Sequence, residues 1–116
     1  MSVEDCIFCK IVDGRIPAGI VFEDDVAIAF TDISPQAPTH LVIIPREHIG
    51  SLDEAGDQHK ELLGQLMLTA ANIARDRGFA RDGYRVVINT NADGGQTVFH
   101  LHVHLLAGRQ FIFPPG

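Results

Sequence analysis

The sequence predicts an α+β fold: an antiparallel sheet of about five strands with one long and one short helix packed on one face. Three observations carry that expectation. Short apolar runs with a two-residue repeat are bounded by Pro, Gly and Asp, and only Leu52–Arg77 has sustained helical periodicity. The chain of 116 residues, 46% hydrophobic and 21% charged, also suits one compact domain spanning 1–116.

From the N-terminus, Ser2–Val12 reads as the short helix. Ser2 and Asp5 have capping-box spacing, with Asp in place of Glu, and Gly14 stands where the helix can end. Pro17 then requires an extended or turn conformation. Strands follow at Ile20–Glu23 and Val26–Thr31, joined through Asp24 and Asp25. In the second, Val26, Ile28 and Phe30 share one face, and Ala27 and Ala29 the other. Asp32–Thr39, with Pro35 and Pro38, reads as a loop; the apolar run His40–Ile44, closed by Pro45, reads as a buried central strand. Ser51 and Glu54 form a capping-box pair ahead of the long helix, and Gly78 follows its basic Arg75 and Arg77. Gly56 is placed to break the first turn from the remainder. Leu62, Leu63, Leu66, Met67, Ala70, Ile73 and Ala74 define the face turned to the sheet. The last strands, Tyr84–Asn89 and Val98–Ala107, flank a turn-rich loop at Asn91–Gly95.

The formal charge of -6 offers no dense basic face, which argues against binding a nucleic-acid polymer but leaves a nucleotide pocket open. No run approaches the roughly 18–20 apolar residues of a membrane span. The acidic Met1–Asp5 lacks the basic and apolar regions of a signal peptide. The expected location is the cytoplasm, where Cys6 and Cys9 are not expected to form a structural disulfide.

Chemistry concentrates in His100-Leu101-His102-Val103-His104, which holds three of the six histidines. In a strand, residues two apart point the same way, so the three imidazoles line one face while Leu101, Val103 and Leu105 line the other. Solvated positions on an edge strand are one explanation, and a catalytic metal site is another. The outer histidines would lie about 13 Å apart at their Cα atoms, which makes a single ion shared by all three difficult. A row of imidazoles better suits a multi-oxygen group such as phosphate, one ring attacking while a neighbour donates hydrogen bonds.

The same run, continued through Leu105-Leu106, resembles the signature of the histidine triad (HIT) superfamily. The blocks Ile7–Ile11, Ile16–Ala18, Phe22–Asp25, Asp32–His40, Asp93–Gln96, Gly108–Gln110 and Pro114–Gly116 resemble its Hint branch, the nucleoside phosphoramidases. The resemblance implies an HIT-like sheet and His102 as the nucleophile. Its tautomer would be fixed by a backbone carbonyl within the strand, its intermediate would be a nucleotidyl-histidine, and no catalytic metal would be required. It further implies that His104 donates to a phosphoryl oxygen, that His40 supplies a supporting hydrogen bond, and that Thr97, often Ser in this branch, assists the leaving amine. Asn89 and Gly95 with its neighbours are placed near the phosphate, Gln96 and Val98 are counted among the substrate-binding residues, and Asp32 is placed at both ribose hydroxyls. Phe8, Ile11, Phe30 and Ile33 would form an apolar slot for a purine. Without the resemblance those four read as core packing, and Asp32 as a turn residue before Pro35.

Cys6-x-x-Cys9 has zinc-ligand spacing, but a lone pair is a weak signal and two unmetallated thiols remain an alternative. By resemblance, His48 and His100 would complete a structural zinc site. The family also implies a homodimer whose C-terminal tails approach the partner's site, with Phe113 here where many similar proteins carry Trp. Other HIT chemistry (dinucleoside polyphosphate hydrolysis or nucleotidyl transfer) and a non-enzymatic nucleotide-binding or interaction module stand as alternatives.

Overall fold

The computed structural model describes residues 3–116, so the Ser2 cap lies outside the described residues. Five strands, β1 (Ile20–Glu23), β2 (Ala27–Thr31), β3 (Thr39–Pro45), β4 (Tyr84–Val87) and β5 (Val103–Ala107), form one antiparallel sheet in the order β1-β2-β3-β5-β4. The short helix α1 spans Ile7–Val12 and the long helix α2 spans Lys60–Asp76. This is the α+β architecture expected from the sequence. No described helix is long and apolar enough to cross a membrane.

The helices do not share a face of the sheet, as the sequence reading had them; they cover opposite faces. Phe8, Cys9 and Ile11 of α1 pack with Ile28, Phe30, Val42 and Ile44. Leu66, Ala70 and Ile73 of α2 pack with Ala27, Ala29, Leu41, Ile43, Val103 and Leu105. Alternate residues of β2 and β3 therefore enter two different cores, and the continuous apolar run His40–Pro45 is what a strand covered on both sides requires.

Short helical ends are closed locally. Cys6 caps α1, its Sγ accepting from the Cys9 N–H at 3.3 Å. Gly14 at φ 74° lets the chain turn back, and the Arg15 N–H then reaches the Lys10 carbonyl at 2.9 Å.

The region before α2 corrects the expected Leu52–Arg77 helix. Two 3-10 turns, Leu52–Glu54 and Asp57–His59, precede it, separated at Gly56 where a break was expected. Ser51 makes no side-chain cap, and its buried Oγ has no protein partner among the described residues. His59 takes over the end-fixing role: its Nδ1 accepts from the Gly56 N–H at 3.0 Å and its Nε2 bonds Glu47 at 2.9 Å. On α2, Thr69 is buried, whereas Met67 is 37% exposed and Leu62 and Leu63 pack only partly.

The last two strands are shorter than expected. Tyr84–Asn89 pairs only through Val87, and Val98–Ala107 joins the sheet only from Val103. Residues 98–102 stay outside the ladder because their polar groups are satisfied elsewhere: the Leu101 N–H by the Ile49 carbonyl at 2.6 Å, and the His100 ring by the Pro45 carbonyl at 2.8 Å. Side-chain alternation persists, with Leu101, Val103 and Leu105 in the α2 core.

Leu66 is fully buried between α2 and the sheet. Leu66→Ala should lower unfolding free energy by about 2–5 kcal/mol in urea titrations, and Met67→Ala by less than about 1 kcal/mol. Equal losses would contradict the α2 orientation.

Candidate active site and metal centre

A cleft of about 460 Å³ opens between α1, the Ile16–Gly19 segment and the start of the loop after β2. Phe8, Ile11, Phe30, Asp32, Ile33, Thr97, Val98, His102 and His104 all line it. Phe8 and Phe30 meet edge to face at 5.5 Å, and Ile33 stands 99% exposed at the rim. Asn89, Gly95 and Gln96 are not among the lining residues. The Gln96 carboxamide is engaged by backbone: its Oε1 accepts from Asn91 N–H at 2.8 Å, and its Nε2 donates to the Gly50 and Val98 carbonyls at 2.8 and 3.1 Å. That amide buckles the loop preceding the triad. Ile16, Pro17, Ala18 and Gly19 line the cleft without having been singled out for binding. The Pro-Ala-Gly composition signalled only a tight segment, and its place against α1 depends on tertiary packing.

Hydrogen bonds assign the protons on the cleft histidines His102 and His104 and on His40 behind them. His102 Nδ1 lies 2.7 Å from the His100 carbonyl, an acceptor only, so Nδ1 carries the proton and Nε2 is left with its lone pair. Burial is the main force lowering the His102 pKa, opposed by that carbonyl and by the charge of Asp32. His40 Nδ1 accepts from the Gln36 N–H at 3.0 Å, so its proton sits on Nε2. That Nε2–H points to His104 Nδ1 at 2.9 Å, with Asp32 Oδ2 at 3.4 Å. His104 Nδ1 is thereby an acceptor, and the His104 proton belongs on Nε2, available as a donor. Asp32 Oδ1 is tied to the Ser34 N–H at 2.8 Å. The result is a nucleophilic nitrogen next to an N–H donor, the rings of His102 and His104 being 4.9 Å apart.

On the other side of His102, the donors of Cys6, Cys9, His48 and His100 lie within 4.8 Å of one another. His100 Nδ1 is 3.4 Å from Cys6 Sγ, 3.6 Å from Cys9 Sγ and 3.2 Å from His48 Nδ1, and His48 Nδ1 is 3.2 Å from Cys9 Sγ. Tetrahedral zinc with Zn–S of about 2.3 Å and Zn–N of about 2.0–2.1 Å needs S···N and N···N edges of roughly 3.3–3.6 Å. The donor set therefore fits zinc in composition and in size. His100 Nε2–H is already held by the Pro45 carbonyl, which directs Nδ1 to the centre. Burial, followed by the hydrogen bond and charge of Cys6, pushes the Cys9 thiol up to about 11. Cation binding there must displace its proton.

His104 also makes the fold pH-sensitive. Burial, then the neighbouring His102 and His40, lower its pKa to about 4 from 6.5, with Asp32 opposing. Between those two values the unfolded chain binds more protons, so unfolding free energy falls as pH drops through the window. The ceiling for this group is on the order of 3 kcal/mol. Urea titrations from pH 7 to 4 should show a shallower decline for His104→Asn than for the original chain; parallel declines would contradict the assignment.

The HIT domain family model matches residues 13–111. Over 106 residues the chain is 50% identical to the purine nucleoside phosphoramidase of Escherichia coli, covering 91% of this chain and 89% of that protein. The crystal structure of a HIT family hydrolase from Legionella pneumophila superposes with a TM-score of 0.95 at 51% identity, covering 97% of this chain and all (100%) of that one. A zinc-bound histidine triad family protein from Mycobacterium smegmatis matches with a TM-score of 0.81 at 32% identity, covering 93% of this chain and 78% of that one. A histidine run placed in this fold, matched along nearly the whole chain, makes the protein a member of the HIT family.

Proposed function

We propose that this HIT family hydrolase cleaves the P–N bond of purine nucleoside phosphoramidates, such as AMP joined to an amine or a lysine side chain, using His102 as nucleophile. The observation that carries the reading is the 2.7 Å bond from His102 Nδ1 to the His100 carbonyl, which leaves Nε2 unprotonated at the cleft. The substrate class is supported by the name of the Escherichia coli relative.

In the first step His102 Nε2 attacks phosphorus, the P–N bond to the amine breaks, and the departing nitrogen takes a proton through the hydroxyl of Thr97, an exposed residue that lines the cleft. His104 Nε2–H donates to a non-bridging oxygen as negative charge grows there, and His40 holds that proton in place. Water then attacks the nucleotidyl-histidine, releasing nucleoside monophosphate and restoring His102 and the donated proton. Asp32 receives the ribose hydroxyls, while Phe8, Ile11, Phe30, Ile33 and Val98 surround the base. Gly95, at φ 84°, and Gln96, through its three backbone bonds, shape the loop beside the phosphate, and Asn89 supplies a hydrogen bond near it.

Cys6, Cys9, His48 and His100 would hold zinc, which supplies a structural cross-link between α1 and the triad segment. A reducing compartment such as the cytoplasm suits those thiols. Ile112 and Phe113 are 75% and 86% exposed, which supports burial of the tail in a homodimer.

Steady-state rates on an adenosine phosphoramidate and on a diadenosine polyphosphate test the reading. The phosphoramidate should be turned over faster, and His102→Asn should lower its kcat by at least ~10³-fold. Faster polyphosphate turnover would move the protein to another HIT chemistry. Retained turnover in His102→Asn would remove that residue as nucleophile.

A further inference from the structure

The carbonyl that fixes the His102 tautomer is not fixed by the sheet. Pairing of β3 with β5 ends at Ile43 opposite Val103, three residues beyond His100. Two other restraints hold the His100 peptide. Its ring, wholly buried, is gripped at both nitrogens: Nε2–H by the Pro45 carbonyl, and Nδ1 among Cys6, Cys9 and His48. Next to it, the Leu101 N–H bonds the carbonyl of Ile49, the residue after His48. The Cys pair also opens α1, whose Phe8 ring stands edge-on to His102 at 5.1 Å and to His100 at 5.9 Å. The four metal-type donors thus surround the base of the nucleophile from three parts of the chain, the start of α1, the segment after β3 and the segment before β5, without lining the cleft.

We propose that the Cys6–Cys9–His48–His100 centre, with zinc bound, is a positioning device for catalysis: by clamping the His100 ring it keeps the His100 carbonyl aimed at His102 Nδ1. The inference rests on His102 being the nucleophile. Its physics is simple. Which imidazole nitrogen carries the proton is set by the hydrogen bond made at the other. A carbonyl that drifts about 1 Å from a 2.7 Å contact no longer makes a hydrogen bond. The Nε2–H tautomer then becomes populated, and that form has no lone pair directed at phosphorus. Only the competent fraction falls, so kcat drops while KM holds. The centre is linked to the reaction through one peptide group and contributes nothing to the substrate's charge.

The test compares ¹⁵N-labelled, zinc-loaded protein with the same protein after chelation, using long-range ¹H–¹⁵N spectra of the His102 ring. The loaded form should show a single tautomer with the proton on Nδ1. The metal-free form should show both tautomers, with kcat on an adenosine phosphoramidate lower by roughly tenfold and KM unchanged within about twofold. Circular dichroism monitors the fold. Should the metal-free chain lose it, the double variant Cys6→Val with Cys9→Leu replaces the thiols with apolar packing and is measured the same way. A metal-free or filled protein that keeps native dichroism, the single Nδ1–H tautomer and the original kcat overturns the proposal. Absence of phosphoramidate turnover in the loaded protein would overturn the functional reading instead, and the ring spectra would still decide the positioning role.

Discussion

One hydrogen bond organises this molecule: His102 Nδ1–H to the carbonyl of His100, 2.7 Å long and buried. In the proposed reaction, everything that makes His102 a nucleophile follows from it. It sets the tautomer, directs Nε2 into the cleft, and partly offsets the burial that lowers the ring's affinity for a proton. The bond spans two residues of one segment, so its geometry depends on how that segment is held. Here it is held by Pro45, Ile49 and the Cys–His cluster, because the β ladder begins only at Val103.

A second chain of bonds runs from the opposite side. The Gln36 N–H sets the proton of His40, and His40 in turn sets the proton of His104. The Gln36 carbonyl is itself held by the Arg109 Nε–H and Nη2–H at 3.2 and 3.1 Å, and that guanidinium lies over the Phe111 ring at 4.3 Å. Three histidines close in sequence therefore have distinct protonation and distinct partners. In the proposed reaction His100 acts through its backbone and its anchored ring, His102 through a bare nitrogen, and His104 through a donated proton.

Much of this was legible in the residues. The two-residue spacing of His100, His102 and His104 separates them from Leu101 and Val103 whether or not a ladder forms, and Cys6-x-x-Cys9 carries metal spacing on its face. The apolar run ending at Pro45 marked the central strand. What the pattern could not convey was tertiary. A strand alternating between two cores looks the same as a strand buried in one, so the placement of α1 and α2 on opposite faces was missed. Ser51 and Glu54 have capping spacing, but Gly56 and the His59–Glu47 bond divert the chain into 3-10 turns, and no local propensity announces a partner twelve residues away. Gln96 lay within a recognised block, yet its three backbone bonds exist only once the loop has closed.

In the proposed reaction the nucleotidyl group passes to His102 before water receives it. The stereochemical course at phosphorus tests this most directly, using a P-chiral adenosine phosphoramidothioate hydrolysed in ¹⁸O-labelled water. Two successive in-line displacements predict a product with net retention of configuration. Net inversion would mean that water attacks phosphorus directly, and would contradict a nucleotidyl-histidine intermediate.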